Sequence, residues 1–62
     1  MTRYRLWIEL ADGTVVEDTM PAENARRACD EAAADHPGLL LVTATSTTDP
    51  DDTWTTETGV WW

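Results

Sequence analysis

Sixty-two residues make one small domain, 1–62, and a chain of that size buries only roughly 60% of the surface its unfolded state exposes, so staples or partners usually support it. Cys29 is the only cysteine and His36 the only histidine, which excludes an internal disulfide and a Cys/His zinc cluster. Four Arg, no Lys and twelve acidic residues give a net charge of −8, which disfavours nucleic acid and anionic membrane as partners and suits a protein partner or simple solubility.

Residues 3–10 alternate. Tyr4, Leu6, Ile8 and Leu10 point one way, and Arg3, Arg5, Trp7 and Glu9 the other, as in a half-buried strand. Asp12-Gly13 supplies the positive-φ position of a hairpin turn, and Thr14 to Asp18 returns as a second strand. A two-residue turn sets Val15 beside Leu10, whereas a three-residue turn with a bulge sets Val16 beside Ile8. One step of register exchanges the two faces, so the choice of buried Val stays open.

A helix is predicted from about Pro21 to Asp35, with Pro21 in its first turn and Thr19 or Met20 as cap. Its apolar stripe is Ala25, Ala28, Cys29, Ala32 and Ala33. Glu23 and Arg27 stand four apart on the solvent side. His36-Pro37-Gly38 ends the helix, because Pro cannot continue it and disfavours helical geometry at His36.

Leu39 to Thr47 reads as a third strand, with Leu40, Val42 and Ala44 toward the helix and Leu39, Leu41, Thr43 and Thr45 away from it. Asp49-Pro50-Asp51-Asp52 is a turn. Thr53 to Trp62 is a fourth strand with Trp54 in the core, and Trp62 shares its face unless a bulge at Gly59 exchanges Trp61 and Trp62, so which of the two is buried stays open. The expected fold class is α+β: ββαββ, a four-stranded, mostly antiparallel sheet in the order 2-1-3-4 with one helix on one face. The helix stripe is almost all small side chains, so close packing demands bulk or close approach from the sheet.

Candidate chemistry is sparse. The Asp49–Asp52 turn lacks the spacing of a calcium loop and reads as a solvated turn. Cys29 reads as a small buried residue, since seven helical residues, about 10 Å, separate it from His36, too far for a catalytic hydrogen bond. Glu9 and Glu57 could meet across the open face, but paired carboxylates need a cleft. No cofactor and no metal site is expected, nor an enzyme.

The aromatic residues are more telling. One helix covers only one face of a four-stranded sheet, and the opposite face carries Trp7 with Arg3 and Arg5. Trp61 and Trp62 form a pair at the end of the sequence, where chains usually fray, and a Trp pair there suggests anchoring in the sheet or on a partner. Trp and Arg on one surface match the composition of binding hot spots. Arg3, Arg5, Trp7, Trp61 and Trp62 are therefore the candidate binding residues.

Three functions fit these features: a small acidic non-catalytic protein-binding or regulatory module using the open face or an edge strand; a homodimer that buries the Trp-bearing face against its copy; or an acidic mimic of DNA that occupies a basic nucleic-acid-binding protein. The longest apolar run, Leu39 to Val42, is far short of the roughly 20 residues that span a membrane. The opening residues run directly into a strand pattern rather than a signal peptide. With one unpaired Cys, the expected location is the cytoplasm.

Overall fold

A computed structural model describes residues 1–57. The elements are β1 (Thr2–Leu10), β2 (Val15–Ala22), α1 (Ala25–Asp35), β3 (Leu39–Ser46) and β4 (Thr53–Glu57). The strands form one antiparallel sheet in the order β2-β1-β3-β4, and α1 packs on one face of it. This is the expected ββαββ arrangement.

The alternation of β1 survives folding intact. Tyr4, Leu6 and Ile8 are buried and Leu10 half-buried, while Arg3, Arg5, Trp7 and Glu9 are exposed. Under the helix they meet Ala22, Ala25, Ala28, Cys29, Ala32, Leu39, Val42 and Ala44. The helix contributes only small side chains to this layer, so its backbone can approach the sheet and the sheet supplies the volume.

The β1–β2 turn resolves the open register. Gly13 takes φ +90°, and the loop is the three-residue Ala11-Asp12-Gly13. Ile8 faces Val16 and Glu9 faces Val15. Val16 therefore packs against the core, and Val15 is left 45% exposed. The Asp12 carboxylate accepts from the Thr14 amide at 2.9 Å. Hydrogen bonds from Thr14 hold this carboxyl below its ordinary range.

The helix start differs from expectation. Pro21 belongs to β2, opposite Arg3, and α1 begins at Ala25 with Asn24 as the cap rather than Thr19 or Met20. The Asn24 side chain accepts from the Arg27 amide at 2.8 Å. Pro fits here because β2 is an edge strand. Counting in twos from the bond of the Leu10 amide to the Thr14 carbonyl, position 21 points outward, where the ladder needs no N–H. Glu23 consequently precedes the helix and is not the i,i+4 helical neighbour of Arg27. At the other end the helix stops at His36, as Pro37 requires, and the His36 amide closes the last turn onto the Ala32 carbonyl at 3.0 Å.

The start of β3 also differs. Leu10 pairs with Leu39 while Glu9 pairs with Leu41, so Leu40 is the extra residue of a bulge. The bulge shifts the alternation by one. Leu39 turns in and is buried with Ala32, whereas Leu40 is 37% exposed. Leu41, Thr43 and Thr45 face away from the helix as expected.

Trp54 lies on the helix side, opposite Ala44, but it is 45% exposed and not part of the core. Its strand, β4, is an edge strand in the described residues, and its indole sits at the flank of the helix beneath the Arg26 guanidinium, 5.6 Å from the ring centroid. The ring N–H donates to Thr56 Oγ1 at 3.1 Å. The expected continuation of β4, with Gly59, Trp61 and Trp62, lies outside the described residues.

Candidate functional site

The open face is a grid whose rows run across the four strands. One row is Val15, Glu9, Leu41, Glu57. The next is Glu17, Trp7, Thr43, Thr55. The third is Thr19, Arg5, Thr45, Thr53, and Pro21 with Arg3 begins a fourth. Trp7 stands on an inner strand in the middle row with 45% of its surface exposed. Its ring N–H donates to Glu9 Oε2 at 3.2 Å, which leaves the indole faces as the contact surface.

Threonine fills much of the rest. Thr43 and Thr55 share a hydroxyl hydrogen bond of 3.0 Å, and Thr53 donates to Thr45 at 3.3 Å. Cross-strand Thr pairs of this kind suit a pleated, solvated surface. They keep the β3 and β4 side of the Trp7 row low in relief, while Arg5, Glu9 and Glu17 border the ring on its other sides.

Charge is divided along the strands. Arg3 and Arg5 occupy one end, Glu9 and Glu57 lie toward the other, and Glu17 stands in the middle row on the β2 edge. Two Arg against three Glu give this face a net charge of −1, while the chain carries −8. The acidic excess therefore lies elsewhere, on α1, the turns and the helix-side edge of β2.

The structure thus brings Arg3, Arg5 and Trp7 together on one surface. Trp61 and Trp62 lie outside the described residues. The sequence reading left Val15 and Glu17 open with the hairpin register and missed Thr19 and Pro21, which it gave to the helix start, as members of this face. Their membership depends on the hairpin register and on β2 reaching Ala22, and the only local sign of the register was Gly13.

Comparison with known protein families, curated proteins and solved structures finds no match. The reading of the site rests on its own chemistry.

The reactive side chains have structural occupations. Cys29 is fully buried, and its Sγ donates to the Trp54 carbonyl at 3.3 Å. Burial pushes its thiol pKa up, which disfavours the nucleophilic thiolate. The acidic turn is built from its own carboxylates. Asp49 Oδ1 accepts from the Asp51 amide at 3.1 Å, and Asp52 Oδ2 accepts from the Tyr4 hydroxyl at 2.5 Å. Ser46 Oγ, pointing to the helix side, accepts from the amides of Thr48 and Asp49, both at 3.2 Å. Among the described residues, no three His, Cys, Asp or Glu side chains are placed to hold a metal ion.

His36 lines an open depression of about 330 Å³ with Leu10, Ala11, Asp12, Asp35, Pro37 and Gly38. This depression lies at the β1–β2 turn and the helix end, away from Trp7. Among the described residues, no helix is long and apolar enough to cross a membrane.

Proposed function

We propose that this chain is a small acidic, non-catalytic protein-binding or regulatory module, and that its working surface is the open sheet face. The observation that carries the reading is Trp7, half in solvent at the centre of a four-stranded face, with Arg5 and Glu9 beside it on the same strand. A Trp in this position gives up a large area of water contact when covered, and the surrounding Thr and charged residues form a polar rim. A non-catalytic role is supported by the occupied thiol, the carboxylates committed to the turn, and the shallow setting of His36. An unpaired, buried Cys29 suits a reducing cytoplasm.

The test compares two exposed tryptophans. Immobilised protein is used to capture partners, alongside Trp7→Ala and Trp54→Ala. Loss of the captured species with Trp7→Ala and its retention with Trp54→Ala is the expected result. Capture that survives Trp7→Ala unchanged removes the open face as the working surface.

A further inference from the structure

We infer that the open face recognises itself, stacking on the same face of a second copy of this chain about a two-fold axis that lies in the interface along the Trp7 row. This rests on the reading of that face as a binding surface and names its occupant.

The argument is the symmetry of the charges. A two-fold axis lying across the strands turns each strand antiparallel to its own copy. β1 then lies over β1 of the other copy with Trp7 near Trp7. Two residues toward the start of β1 is Arg5, and two residues toward its end is Glu9, both on the open face. The axis therefore sets Arg5 of each copy over Glu9 of the other, twice. The same operation lays the Val15–Glu9–Leu41–Glu57 row over the Thr19–Arg5–Thr45–Thr53 row, so that Leu41 and Val15 meet Thr methyl groups. Arg3 reaches the Ala11–Gly13 turn of the other copy. An isologous interface needs a patch that complements itself in this way.

Electrostatics favours this face over others. Two chains of net charge −8 repel, but the face itself carries only −1. Stacked face to face, both copies keep most of the acidic excess, at Asp12, Asp18, Glu23 and Asp49–Asp52, outside the paired face. The arrangement places Glu17 near its own copy. Glu17 is on β2, an edge strand, so those carboxylates lie at the rim of the interface and stay in water. The two Trp7 rings, close to the axis, pack as an offset pair.

Area sets the strength. The sheet is roughly 15 Å across and 25 Å long by strand spacing and rise. The face therefore lies near or below the roughly 800 Å² per partner of a standard interface. The association is accordingly weak and concentration-dependent.

Sedimentation equilibrium from about 10 µM to about 1 mM reads it. The expected mass rises from 6.9 kDa toward twice that value. Arg5→Glu and Glu9→Arg each weaken association about tenfold or more, because each places like charges in both symmetry-related contacts. An equimolar mixture of the two variants restores it, since both contacts of the mixed pair are again opposite in sign. A misfolded variant cannot be rescued by mixing, so recovery separates surface from stability.

A mass of 6.9 kDa throughout overturns self-recognition, while Trp7-dependent capture of another protein would leave the open face intact as a binding surface. Association indifferent to Arg5→Glu overturns the face as the site of self-contact. Loss in each single variant without recovery in the mixture overturns the two-fold register.

Discussion

Ile8 and Trp7 are neighbours in β1 and lie on opposite faces of one sheet. Ile8 is fully buried beneath the helix, whereas Trp7 keeps 45% of its surface in solvent. On the helix side, large strand residues interlock with an Ala and Cys stripe, and every side chain is constrained by its neighbours. On the open side, the largest residue of the strand is held by the pleat and one hydrogen bond to Glu9. Size alone therefore does not mark the core. In β1 the core is carried by Tyr4, Leu6 and Ile8, and Trp7, larger than any of them, is available for contact.

The contrast is sharpest in the pair Ile8→Ala and Trp7→Ala. Ile8→Ala leaves a cavity where the sheet meets α1 and should destabilise by about 2–5 kcal/mol, enough to unfold a large fraction of so small a chain. Trp7→Ala removes more atoms but should cost less than about 1 kcal/mol, since its site faces water. Urea unfolding followed by circular dichroism measures both. Equal losses would mean that Trp7 is part of the fold rather than of a surface.

The next largest effect belongs to the helix start. Asn24→Ala removes the acceptor for the Arg27 amide and should cost about 1 kcal/mol. The same replacement at Thr19, exposed on the open face, should be milder.

The last effect is a change with pH and comes from the covered side of β1. The bond from Tyr4 to Asp52 and the burial of the ring push the phenol pKa up to about 12 from an ordinary value of 10. Because the folded value is the higher one, the stabilisation is complete below about pH 10 and is lost as pH rises toward 12. Tyr4→Phe should remove that part of the alkaline decline. Unfolding midpoints recorded across this range for both proteins decide the matter.

Much of this was legible along the chain. The period of two in Tyr4, Leu6 and Ile8, the Ala and Cys helical stripe, and the breaks at Asp12-Gly13 and Pro37-Gly38 gave the element order and the sheet order. Each is a local pattern, set by the geometry of one strand, helix or turn. The candidate face was legible in part, since Arg3, Arg5 and Trp7 share the alternation of β1. Its other half was not, because Val15, Glu17, Thr19 and Pro21 join it only through pairing.

The sequence by itself determined which residues of β1 and α1 oppose each other and where the helix must end, because periodicity and the chemistry of Pro and Gly act within a few bonds. Tertiary structure alone decided the rest. It drew Pro21 into an edge strand, because only the position of β2 in the sheet tells whether an absent N–H matters. It chose Leu39 over Leu40 for the core, because the bulge is defined by the partner strand. It left Trp54 at the flank of the helix rather than beneath it, since a single helix of small residues has width enough to seal the centre of a four-stranded sheet and not its edge.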